Sequence, residues 1–300
     1  MRVLISGASG LIGSALTRAL KSQGHEPMAL VRRAPAAGEV QWDPRQPLDP
    51  ANLAGVDAVV HLAGKNIAGL WTEKFKREVL ESRVLGTRTV ATAVAESYRR
   101  TGQPRVLICA SGAGYYGNRG DELLTEESSA GTGFLAEVSK QWEAATAPAS
   151  EAGVRVVSLR IGLVLARDGG ALKPMLLPFR LGLGGRVGSG KQYWSWIAFD
   201  DLIGAMTFAL QQETLRGPVN AVGPAPARNE EFVRALGRAL HRPTIFPLPT
   251  FVVRTLMGEM GEELLLTSAR VLPAKLEAAG YKFQHAELYE ALRAVLAEAK

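Results

Sequence analysis

Val3-Leu4-Ile5-Ser6-Gly7-Ala8-Ser9-Gly10-Leu11-Ile12-Gly13 stands near the start of the 300-residue sequence, and its order decides the fold. An apolar run reads as a buried strand, the glycines as a tight turn, and Ile12, Ala15, Leu16, Ala19 and Leu20 as the apolar stripe of a helix packed on a sheet. A turn that opens a helix aims backbone N–H groups and the positive end of the helix dipole at one spot. Glycines let a pyrophosphate approach that backbone closely. A dinucleotide is therefore the ligand expected at Gly7, Ser9, Gly10, Leu11, Ile12 and Gly13. Among 32 glycines the spacing alone arises by chance, and a strand–helix turn that binds nothing is the alternative; strand, turn and helix in that order separate the two.

Outward from the turn, strand-like runs at residues 3–5, 28–31, 40–42, 57–62, 106–110 and 154–159 alternate with helix-period segments. This predicts an α/β fold: a Rossmann-type doubly wound parallel sheet, with a smaller, mostly helical C-terminal lobe. After Arg160 the chain is punctuated by Gly162, Gly169, Gly170, Gly182, Gly184, Gly185, Gly188 and Gly190, which suits loops laid over a site. The expected division is a dinucleotide-binding domain over residues 1–165, with returning segments about 196–223, and a substrate or partner lobe over 166–195 and 224–300.

A content of 47% hydrophobic and 21% charged residues describes an ordinary globular chain. No apolar run reaches the ~18 residues of a membrane span, and the first strand leaves no room for a leader, so a cytoplasmic protein without membrane contact is expected. The net charge of +6 suits an anionic ligand, yet the basic residues form no long run, and no nucleic-acid partner is expected. The one cysteine, Cys109, follows Val106-Leu107-Ile108 and reads as buried. No metal site is read from the sequence.

Dinucleotide folds place an acidic residue after the second strand for a ribose 2′-OH, or a basic one for a 2′-phosphate. Arg32 and Arg33 stand there, and no acid occurs before Glu39, so the charge logic favours NADP(H) over NAD(H). Arg32 is nearer the strand; Arg33 is equally readable as a solvated loop residue. Ser9 offers a hydroxyl to the same phosphate. Leu62, Ala63 and Gly64 end the fourth strand, where small residues let a cofactor pass.

Several further segments resemble one family. They are Leu62-Ala63-Gly64-Lys65-Asn66-Ile67-Ala68-Gly69, Ala113-Gly114-Tyr115-Tyr116-Gly117, Arg160-Ile161-Gly162-Leu163-Val164-Leu165, the glycine-rich stretch from Pro178 to Gln192, Trp194-Ser195-Trp196-Ile197 before Asp200-Asp201, and Leu248-Pro249 through Arg270-Val271-Leu272-Pro273. Their order is similar to that of the extended, atypical short-chain dehydrogenases/reductases. More narrowly, it resembles the NAD(P)-dependent, sugar-nucleotide epimerase-like branch that ends in a small lobe.

The resemblance implies that Arg83, where many relatives carry asparagine, pairs with a cofactor phosphate and is oriented by Glu78; a surface ion pair between the two is the alternative. It also implies that Val164 packs near the nicotinamide. Reductases of this kind use Tyr-x-x-x-Lys, the lysine lowering the tyrosine pKa and the tyrosine exchanging a proton with substrate. Lys140 is present, but Ala136 stands four residues before it, and residues 134–143 contain no tyrosine. Ser111, which closes the fifth strand, is the candidate for the usual helper serine, with no tyrosine on the helix to set its register against. Tyr115 and Tyr116 are the substitutes at hand, with loop anchoring as their alternative role. The rim Tyr193, Trp194 and Trp196 is more apolar than a sugar-diphosphate site requires, unless Arg180, Arg186 or Lys191 supplies charge; packing in the core is the other reading. Two functions stay open: an NADP-dependent oxidoreductase or epimerase on a small carbonyl or hydroxyl substrate, and a non-catalytic NADP(H)-binding regulatory or redox-sensing module. A homodimer is compatible with either.

Overall fold

A computed structural model describes residues 1–297. Seven strands form the main sheet: β1 (Arg2–Ser6), β2 (Glu26–Val31), β3 (Glu39–Gln41), β4 (Ala58–His61), β5 (Val106–Gly112), β6 (Arg155–Ile161) and β7 (Gly217–Ala221). Their spatial order is β7-β6-β5-β4-β1-β2-β3. This is a seven-stranded parallel sheet with flanking helices, the Rossmann-type architecture that the alternating pattern predicts. The order reverses between β1 and β4, which pair from Val3 with Ala58 to Ser6 with His61. Open α/β sheets bind ligands at the carboxyl edge of such a reversal.

Sequence and burial explain the elements. In β1, Val3, Leu4 and Ile5 are fully buried, as a strand covered on both faces must be. Helix α1 (Leu11–Ser22) buries Gly13, Ala15, Leu16 and Leu20. Helix α2 (Glu73–Thr101) starts at Thr72, whose hydroxyl accepts from the Phe75 N–H at 3.2 Å, and stops at Gly102 with φ 71°. Helix α3 (Phe134–Ala144) carries Ala136 and Lys140.

The chain resolves into two compact units. Unit 1 comprises Met1–Ser111, Val138–Leu159 and Ile203–Val219; unit 2 comprises Gly112–Glu137, Arg160–Leu202 and Asn220–Lys300. Segment Gly112–Glu137, which the sequence reading assigned to the first domain, thus clusters with unit 2. The core of unit 1 includes Leu4, Leu30, Trp42, Val59, Val94 and Leu107. That of unit 2 includes Leu172, Phe179, Trp194, Trp196, Phe232 and Leu292. No helix among the described residues is long and apolar enough to cross a membrane.

Candidate cofactor and active site

The glycine turn lies where the strand order reverses. Gly7 adopts φ +71°, and a Cβ there would stand 3.1 Å from the Ala63 nitrogen, so the turn after β1 and the chain after β4 meet backbone to backbone. Gly10 is the N-cap of α1, with its carbonyl accepting from Ser14 N–H at 2.9 Å. No side chain caps this end and no acidic residue occupies its first turn, so its N–H groups and dipole face outward uncontested. Ser9, Gly10 and Leu11 are exposed, Ile12 is half-buried, and Gly13 is buried, where a Cβ would overlap the Gly7 carbonyl oxygen.

Beneath the turn lies a node that the sequence reading did not pick out. The Ser6 hydroxyl accepts from Leu62 N–H at 3.1 Å and Ala63 N–H at 3.2 Å, and lies 2.7 Å from His61 Nδ1. With both lone pairs engaged, its proton points at Nδ1, which leaves the proton of the imidazole on Nε2. His61 is fully buried, stands edge-on to Trp42 at 5.7 Å, and its Nε2 has no partner. Burial drops its pKa to about 4, so it is neutral. A histidine at the end of an apolar strand is the only sequence signal for it.

At the end of β2 the two arginines part company. Arg33 is committed to Glu39 through two 2.7 Å contacts and to the Ala34 carbonyl at 2.8 Å. That pairing raises the Arg33 pKa and lowers that of Glu39. The acid six residues later thus holds the fork within its own exposed loop, as the alternative reading of Arg33 as a solvated loop residue has it. Arg32 is exposed and makes no ion pair or hydrogen bond among the described residues.

Beyond β4, the expected orientation of Arg83 by Glu78 is corrected. Glu78 bonds Lys65 Nζ at 2.6 Å, which lowers the carboxyl pKa. Arg83 instead donates to the carbonyls of Lys65 at 2.9 Å and Val79 at 3.1 Å and lies 4.8 Å over the Trp142 ring. Its side chain packs beside Gly64, where a Cβ would meet it in ordinary contact at 3.5 Å. Burial lowers the Arg83 pKa to about 10, still charged at neutral pH.

On α3, Ala136 is 1% exposed and Lys140 is exposed one turn on. Ser111 is buried and donates to Glu143 Oε1 at 2.7 Å. Glu143 shares the Ala136 and Lys140 stripe at helical spacing, a signal that was available in the sequence.

In unit 2, Tyr116 is fully buried. Its hydroxyl accepts from Arg160 at 3.0 Å and faces the Thr125 carbonyl at 2.9 Å and Asn220 Oδ1 at 2.7 Å. Burial pushes its pKa up to about 12 despite the opposing Arg160 charge. The expectation of Tyr116 as a proton donor is corrected: its hydroxyl closes a buried polar network. Tyr115 lies under the same guanidinium, 3.4 Å from ring centroid to Cζ. The expected aromatic rim is core for Trp194 and Trp196, 5% and 1% exposed; Tyr193 remains half-buried beside Arg228 and Arg270. Val164 pairs with Ile197 in a short ladder of this unit. Unit 2 also contains a cavity of about 430 Å³ lined by Asn118, Thr132, Gln192, Arg254, Glu263 and Thr267, among others.

Residues 3–223 match the NAD dependent epimerase/dehydratase family. The chain belongs to that family. Residues 248–295 match a domain of unknown function, DUF1731. An epimerase family protein of Mycobacterium bovis is 48% identical over 293 residues, covering 97% of this chain and 96% of its own. The crystal structure of human SDR39U1, isoform 2, with NADPH matches at TM-score 0.90 and 37% identity, covering 99% of this chain and 100% of that one. A nucleoside-diphosphate sugar epimerase of Corynebacterium glutamicum matches at TM-score 0.80 and 40% identity over 97% of this chain and 57% of that one.

Proposed function

We propose that this member of the epimerase family binds NADP(H) and oxidises or reduces a small hydroxyl or carbonyl substrate without the usual tyrosine of Tyr-x-x-x-Lys. The observation that carries this reading is the glycine turn: a helix N-terminus free of acids and caps, pressed against Leu62 and Ala63 at the sheet's reversal, with Arg32 unpaired at the end of β2. The NADPH held by human SDR39U1 supports it. Gly7, Ser9, Gly10, Leu11, Ile12 and Gly13 would hold the pyrophosphate, Arg32 the 2′-phosphate, and Leu62, Ala63 and Gly64 the passage beyond β4. Arg83, a half-buried cation that forms no ion pair among the described residues, adds positive charge beside that passage. Val164 is the residue proposed beside the nicotinamide.

NADP(H) supplies or accepts the hydride when bound. The chain's part is the proton. With Ala136 in the tyrosine position, Ser111 and Glu143 are the pair that takes over: a substrate hydroxyl gives its proton to Ser111 Oγ as the Ser111 proton passes to the Glu143 carboxylate, and reduction runs the reverse. Lys140, one turn from Ala136, is the group proposed at the ribose hydroxyls. The test follows nicotinamide absorbance over a panel of hydroxy and carbonyl compounds. Turnover that drops ~10²-fold or more in Ser111→Ala and Glu143→Gln, with NADPH affinity intact, supports the reading. The second reading, a non-catalytic NADP(H)-binding module, is favoured by the absence of any tyrosine on α3. NADPH binding without turnover on the whole panel decides for it.

A further inference from the structure

Two segments of unit 2 contain no Asp or Glu at all. Residues 171–191 and 232–258 together hold eight Lys or Arg, in a chain that has 29 acidic residues elsewhere. The structure lays them side by side. Phe246 N–H donates to the Gly184 carbonyl at 3.3 Å, Leu248 N–H to the Arg186 carbonyl at 2.8 Å, and Gly188 N–H to the Leu248 carbonyl at 2.8 Å, while Arg242 Nε reaches the Arg180 carbonyl at 2.8 Å.

The surface so formed is apolar where it should be wet. Leu177, Leu181, Leu183, Ile245 and Phe246 are each between 53% and 71% exposed. Leu181 N–H bonds the Leu177 carbonyl, so those two share a helical turn, and a Cβ at Gly182 would touch Pro243, which joins their end to the Ile245 strip. Clusters of this size on a soluble surface mark an interaction site. Around them Lys173, Arg180, Arg186 and Arg242 form no ion pair among the described residues.

The occupant follows from the charge. A second copy of this chain would bring like charges face to face around the apolar centre, and no acid in either segment could answer them. A surface that is apolar inside and anionic at its face fits both features. We propose that these two segments dock peripherally on an anionic phospholipid membrane, the leucines, isoleucine and phenylalanine entering the acyl boundary and the four cations meeting headgroup phosphates. This departs from the expectation of no membrane contact, which rested on the lack of a spanning segment; a peripheral contact needs none.

The experiment is co-sedimentation of the full chain with phosphatidylcholine vesicles and with vesicles that also contain phosphatidylglycerol. The chain should pellet with the anionic vesicles at least about tenfold better, and the difference should shrink as salt rises. Leu181→Ser with Phe246→Ser, and separately Lys173→Glu with Arg180→Glu, should each reduce that binding by about tenfold while thermal melting stays in place. Equal binding to both vesicles, binding to neither, or binding that survives both double variants overturns the proposal. So does a dimer in light scattering that the Leu181→Ser, Phe246→Ser variant abolishes, since that would give the face to a second copy.

Discussion

At Gly13 a side chain would collide with the Gly7 carbonyl, whereas at Gly10 it would meet the same oxygen at 3.3 Å and otherwise face outward. The two glycines of one turn thus serve different ends, the first packing and the second approach of a ligand. Gly13→Val should cost about 3 kcal/mol of stability or more in chemical denaturation. Gly10→Val should melt within about 1 kcal/mol of the parent yet lose NADPH binding. His61 gives a second residue-level prediction. Its pKa lies near 6.5 unfolded and about 4 folded, so the unfolded chain binds the extra proton and stability falls as pH drops from 6.5 towards 4, by about 3 kcal/mol in all. Above pH 6.5 the histidine contributes no pH dependence. An NMR titration of the imidazole with a midpoint near 6.5 in the folded protein would contradict this.

The elements were legible where a local pattern sets them. The strands expected at 3–5, 28–31 and 106–110 lie within Arg2–Ser6, Glu26–Val31 and Val106–Gly112; the first and last are buried on both faces of the parallel sheet and show as continuous apolar stretches, while the second is mostly half-buried and shows through its apolar residues Met28 to Val31. Roles that depend on distant partners were not legible. Tyr116 reads as a site tyrosine until Asn220, 104 residues away, takes its hydroxyl. The helical stripe places Glu143 beside Ala136 and Lys140, but its partner, Ser111, stands 32 residues back and no local pattern joins the two. The element-level test follows. Tyr116→Phe removes one hydroxyl that Arg160 and Asn220 both use, and should cost about 1–3 kcal/mol of stability with NADPH affinity unchanged. A variant as stable as the parent that has lost all turnover would restore Tyr116 as the proton donor. Restoring the tyrosine at Ala136 is a separate matter, since that position is 1% exposed and a ring there would have to displace its neighbours.

For the whole molecule, the sequence carried the sheet, its glycine turn and the charge after β2, since each is written in adjacent residues. The commitment of Arg33 to Glu39, the Lys65–Glu78 pair and the burial of Trp194 and Trp196 became visible only in three dimensions. Binding to the native state alone must stabilise the chain, so NADPH at a hundredfold excess over its Kd should add about 2.7 kcal/mol in denaturant unfolding. The central claim is that the turn after β1 holds a dinucleotide whose 2′-phosphate is read by Arg32. Calorimetric titration of the parent and of Arg32→Asp with NADPH and NADH tests it most directly. The account predicts that the parent prefers NADPH by at least about tenfold, and that the substitution removes the preference by weakening NADPH on the order of a few kcal/mol while leaving NADH nearly unchanged. A parent that binds the two dinucleotides equally, or an Arg32→Asp variant that keeps the full preference, would contradict it.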